Sequence, residues 1–186
     1  MRYLLIFLFI AGCGMSQAED EDFSHFYYDG VEYSDLVIDG LRYLGYSEQR
    51  NRRELTVLLG VDPVTTEWCA AFMNYLLRKN GYSTSEDIHD YPLLARSFTE
   101  YGTRVTGEPR SGDIVVLTRG TQGWQGHVGF YLGTVKRDGR TYYALLSGND
   151  DNRVTIDLYH VGRVVAVRRP EQLVLLQGVE PRLQPL

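Results

Sequence analysis

The sequence predicts an α+β fold in which helices come first and an antiparallel sheet follows. The hydrophobic pattern changes period after Pro109, from helical spacing to short runs rich in β-branched and aromatic residues. Asp138-Gly139, between two such runs, is a hairpin turn, because Asp-Gly accepts positive φ. The composition is that of a soluble globular protein: 186 residues, 44% hydrophobic and 23% charged.

The elements follow in order. Leu36, Val37, Gly40, Leu41 and Leu44 keep helical spacing from Asp35 to Tyr43. A second helix is expected from Asn51, with Glu54 completing a capping box, to Gly60 before Asp62-Pro63. A third is expected over Glu67 to Asn80, capped by Thr66 and ended by Gly81, and a fourth over Pro92 to Tyr101, stopped by Gly102. About five strands are expected, at Ile114–Leu117, Val128–Val135, Tyr142–Ser147, Val154–Tyr159 and Val164–Arg168.

Residues 1–12 read as a secretory signal, since Arg2 precedes an apolar run too short to span a membrane. Ile10-Ala11-Gly12-Cys13 resembles the bacterial lipobox, which makes Cys13 the expected lipid acceptor. The other reading is an ordinary signal cut after Ser16-Gln17-Ala18. Either way the mature protein leaves the cytoplasm. It is expected to be lipid-anchored to a membrane and periplasm-facing, or else soluble and secreted. Residues 13–33 form an acidic and aromatic tether, 34–170 the main domain, and 171–186 a tail of uncertain structure. The 19 Lys and Arg against 24 Asp and Glu argue against a nucleic-acid partner, which requires clustered positive charge. Two cysteines exclude a disulfide framework and a cysteine-rich zinc module.

If Cys13 carries lipid, one thiol remains, Cys69 in Trp68-Cys69-Ala70-Ala71-Phe72. Its place in the first turn of the third helix favours a thiolate, through unpaired N–H groups and the positive end of the dipole. An inert core cysteine would fit the stripe Cys69, Phe72, Met73 and Leu76 equally well. A nucleophilic thiol needs an imidazole. His25 lies in the tether and His89 in a polar loop, whereas His127 opens a strand between Gly126 and Gly129. It would share with Gly129 and Tyr131 the face opposite Val128 and Phe130. His160 is the reserve. The hairpin centred on Asp138-Gly139 puts residue 149 or 150 opposite His127, so Asn149 or Asp150 could orient the ring. A calcium loop at Asn149–Asp157 is the weaker reading, since the EF-hand glycine is missing.

Trp68-Cys69-Ala70-Ala71-Phe72, Gly112-Asp113-Ile114-Val115-Val116, Gly126-His127-Val128-Gly129-Phe130-Tyr131 and Gly148-Asn149 occur in that order. Together they resemble a branch of the NlpC/CHAP superfamily of papain-like bacterial cell-wall cysteine hydrolases. The resemblance implies a papain-like fold, Cys69 as nucleophile, His127 as base and acid, and Asn149 as the polar third residue. It also implies peptidoglycan amide bonds as substrate, with no metal or cofactor. Ser147 and Asp150 depart from the branch's Gly-Gly-Asn-Gln, which leaves Asp150 and His160 open as third residue. Trp68 and Trp124 are the candidate substrate-binding side chains. The Cys69 N–H is the natural first oxyanion donor, with a side chain near Glu48 or Gln49 as a second. The competing functions are a non-catalytic wall-binding module and a thiol-dependent acyltransferase.

Overall fold

The computed structural model describes residues 33–173. The signal at 1–12, Cys13, most of the 13–33 tether including His25, and all but the first residues of the 171–186 tail lie outside them. Within the described residues three α-helices precede a six-stranded antiparallel sheet. The helices are α1 (Asp35–Leu41), α2 (Glu48–Leu59) and α3 (Cys69–Lys79). The strands are β1 (Thr103–Arg104), β2 (Ile114–Thr118), β3 (Gly126–Arg137), β4 (Arg140–Asp150), β5 (Arg153–His160) and β6 (Val164–Arg169). Their order across the sheet is β1-β6-β2-β3-β4-β5. The sixth strand, β1, spans two residues and adds to β6 at the edge, too short to leave a periodic signal.

Three helical expectations are corrected. α2 starts three residues early, because Ser47 rather than Asn51 is its N-cap. Asn51 marks a kink instead, and its Oδ1 accepts the Ser47 N–H. Thr66 does not cap α3: the N-cap is Trp68, with no side-chain cap bond, so the first-turn N–H groups stay available. The expected fourth helix is only a 3₁₀ segment at Ala95–Thr99, which buries Ala95, Ser97 and Phe98 against the sheet. Gly60 ends α2 in the left-handed conformation, as expected of a C-cap glycine.

α3 is buried nearly all round. Cys69 to Asn74, Leu76 and Leu77 are all inaccessible, because α1 and α2 cover one side while β3 and β4 cover the other. Asn74 is tolerated in this core because its amide bonds Ser85 and the Pro92 carbonyl. The sheet is buried on both faces. Leu146 reaches the backbone of Gly40 in α1 beside Leu76 of α3, and register puts Phe130 with it. The opposite face carries Val115, Leu117, Tyr131, Leu145 and Tyr159 as a second cluster. His127, paired with Leu117, belongs to that face and is buried there rather than turned to solvent.

Asp113 pins β2 to β6. It is nearly inaccessible, takes a two-pronged bond from Arg169 (2.9 and 2.8 Å) and also accepts the Arg110 N–H. Gly148 lets β4 approach the start of α3. A Cβ there would fall 2.6 Å from the Trp68 ring and 2.8 Å from Phe72 Cβ. Both side chains are fully buried and have nowhere to move. Gly148→Ala should therefore cost about 2 kcal/mol by overpacking, whereas Gly107→Ala, with nothing within 4 Å, should be near neutral. Urea unfolding of both variants checks the contrast.

Candidate active site

Cys69 occupies the first position of α3 and is 3% exposed. Two backbone N–H groups point at its sulfur, those of Ala70 in its own helix and of Val128 in β3. The second contact places the thiol against the residue that follows His127. The charge of Arg119, at the end of β2, acts on both Cys69 and His127. Helix start and strand start thus meet.

Burial decides the protonation of both groups. Desolvation pushes the Cys69 thiol up to about 11, aided by the charge of Glu67 and opposed by the two N–H groups and Arg119. Desolvation pulls His127 down to about 4, and Asp150 opposes it. At rest the thiol and the imidazole are therefore both neutral. The thiolate expected from the helix position is corrected, because loss of water outweighs the dipole.

The imidazole Nε2 lies 3.0 Å from Ser147 Oγ. Its Nδ1 is buried and has no hydrogen-bond partner among the described residues. Ser147, fully buried, sits on the same face of the adjacent strand and is the ring partner that sequence reasoning missed. Gly129 admits it: a Cβ there would meet the Leu146 carbonyl at 2.9 Å and Ser147 Cβ at 3.0 Å.

Asn149 is close by but does not hold the ring. Its Nδ2 donates to Glu67 Oε2 at 2.7 Å, on the Cys69 side. The cause is a bulge between Ser147 and Asp150, where Asn149 takes φ 58° and breaks the alternation that the hairpin count assumed. A second irregularity, between Tyr131 and Gly133, has already shifted the register. Asp150 accepts from the Tyr159 hydroxyl instead of from the imidazole.

His160 is exposed at the far end of β5, where its Nδ1 accepts the Gly162 N–H. It pairs with Tyr142, seven residues along β4 from Asn149, roughly 23 Å at ~3.3 Å per residue. His89 is bound to the Tyr91 N–H in an exposed loop. Trp68, expected to touch substrate, is fully buried. Its indole N–H donates to Glu48 Oε1 at 3.0 Å and its ring lies edge-on to Phe72, so it braces the site rather than lining it. Trp124 is 60% exposed in the β2–β3 loop, three residues before His127. Glu48 is committed to Trp68, and Gln49 is exposed. No cluster of His, Cys, Asp and Glu able to hold a metal occurs among the described residues, and none of their helices is long and apolar enough to cross a membrane.

The CHAP-domain family model matches residues 61–149. This stretch is a CHAP domain. The match begins just before α3 and ends at Asn149, taking in Cys69, His127 and Ser147 but not Tyr159. The CHAP family is one of peptidoglycan hydrolases and amidases, and its α+β, papain-like architecture agrees with helices set ahead of the sheet. No curated protein matches the chain.

The buried histidine sets an acid limit on stability. As pH falls below 6.5 the unfolded chain takes up a proton that folded His127 resists until about pH 4. Stability should drop across that window, by up to roughly 3 kcal/mol from this group. Urea unfolding at pH 7 and pH 4.5 should show a smaller loss in His127→Gln than in the wild type.

Proposed function

We propose that this CHAP domain is a cysteine amidase or endopeptidase that cleaves amide bonds in peptidoglycan stem peptides, with Cys69 as nucleophile and His127 as base and acid. The observation that carries the reading is the meeting of an uncapped helix start bearing Cys69 with the amide of Val128, the residue that follows His127 in β3.

A neutral couple works by general-base catalysis. Sulfur attacks the amide carbonyl as Nδ1 takes the thiol proton. The oxyanion forms beside the free N–H of Cys69 at the head of α3. The imidazolium then protonates the leaving amine, and water, activated by the same nitrogen, releases the acid and the thiol. No hydrogen bond joins thiol and ring at rest, so substrate must bring them into line, a tightening common at such sites. Trp124 and Arg119, both exposed, offer an aromatic plane and a positive charge at the rim.

Incubation with purified muropeptides, followed by mass spectrometry of the new termini, tests the reading. Wild type should produce a free amine and a free carboxyl. Cys69→Ala and His127→Ala, once shown to be folded, should each lose at least about a thousandfold in turnover. Binding without cleavage would mark a wall-binding module, and transfer to an added amine an acyltransferase. Export and lipid anchoring at Cys13 are part of the proposal on sequence alone. Intact-mass analysis of the mature chain distinguishes an acylated Cys13 from an N-terminus at Glu19.

A further inference from the structure

One row of paired residues crosses the sheet on the face that the helices cover. Leu146 in β4 pairs with Phe130 in β3, Phe130 with Ile114 in β2, Ile114 with Arg168 in β6, and Arg168 with Arg104 in β1. Paired residues share a face, so a fully buried apolar row ends at the sheet edge in two arginines set side by side. There the cover is the 3₁₀ segment Ala95–Thr99, which packs on β2, β3 and β6.

Like charges directly opposite one another repel, and the chain does not neutralise these two. Neither guanidinium has an ion-pair partner among the described residues. Asp113 is taken by Arg169, Glu171 accepts the Thr103 hydroxyl, and Glu100, beside Thr99, is exposed and pairs with neither arginine. Arg168 Nε is buried without a hydrogen-bond partner among the described residues, and so is Thr99 Oγ1. Such orphans are rare, because a buried polar group left unpaired costs stability. Both orphans and Arg104 line one cavity of about 390 Å³, walled by Val105 and by residues 164–168 of β6.

We propose that this cavity is a binding site for a phosphate monoester, held by Arg104, Arg168 and Thr99. Each guanidinium is a planar fork that matches phosphate oxygens, and the threonine hydroxyl donates one more bond. A phosphate monoester carries about −1.5 to −2 at pH 7, which balances two arginines where a carboxylate balances one. Its oxygens supply the acceptor that Arg168 Nε and Thr99 Oγ1 both lack. The cavity is of the size that takes a small organic ligand rather than a bare ion. The site stands apart from the thiol and does not rest on the hydrolase reading. Arg168 pairs with Ile114, whereas His127 pairs with Leu117, three residues along β2, roughly 10 Å at ~3.3 Å per residue.

NMR of the arginine Nε–H groups in the full chain, with Arg168→Gln to assign the signal, reads binding without reference to activity. At constant ionic strength glycerol monophosphate should shift the Arg168 signal saturably, inorganic phosphate should do so more weakly, and acetate should not. Arg104→Gln and Arg168→Gln should each weaken binding about tenfold or more, and Thr99→Val about threefold. Arg140→Gln, which removes an exposed charge at the β3–β4 turn, should leave it unchanged. Without ligand, Arg104→Gln should unfold in urea no earlier than wild type, since it relieves the repulsion. Glycerol monophosphate should raise the urea midpoint of wild type and leave that of both arginine variants where it was. Inorganic phosphate binding as tightly as the ester keeps a phosphate site but overturns the ester as its ligand. Shifts that do not saturate, that acetate matches, or that persist in both folded arginine variants overturn the proposal.

Discussion

The seating of the α3 start on the bulged end of β4 is the contact on which the site depends. Trp68 fills the space that Gly148 leaves open, its indole N–H is tied to Glu48, and its ring is held by Phe72. Tyr46 and Glu48 brace the same hairpin end from α2's side, through backbone bonds to Val154 and Asn152. With Trp68 fixed, the next residue, Cys69, can only lie against the amide of Val128. A larger residue at position 148 would lift the helix and move the thiol away from the strand that carries His127.

That tight seating determines the chemistry as well as the geometry. A helix N-terminus favours a negative charge by about 0.3–1 kcal/mol, and up to ~2 when partly buried. Raising a thiol from 9 to about 11 corresponds to roughly 3 kcal/mol against the thiolate. Burial wins, and Glu67 adds to it. Cys69 therefore rests as a thiol. A buried neutral thiol is also slow to oxidise, since oxidation proceeds through the thiolate.

Much of this was legible in the sequence, because the strands carry strong period-two runs and Asp138-Gly139 fixes one hairpin. Cys69 and His127 stood out by their neighbours, an Ala-Ala helix start and a pair of glycines. What the sequence hid depends on three-dimensional detail. The bulge at Asn149 has no period, so counting from the turn misassigned its side chain. Ser147 reads as an ordinary strand residue until Gly129 is seen to admit it beside the ring. Trp68 reads as a binding aromatic until Gly148 is seen to seat it. Pro92 to Tyr101 has helical apolar spacing, but Leu94 is extended and only a 3₁₀ segment follows.

The central claim is that the Cys69 sulfur becomes covalently bonded to the substrate's acyl group. Acid-quenching the enzyme milliseconds to seconds after mixing with muropeptide, then mapping the adduct by peptide mass spectrometry, tests it most directly. A stem-peptide acyl group should appear on Cys69 before free acid and be absent from Cys69→Ala. Cleavage that proceeds with no adduct in wild type and continues undiminished in Cys69→Ala would contradict it.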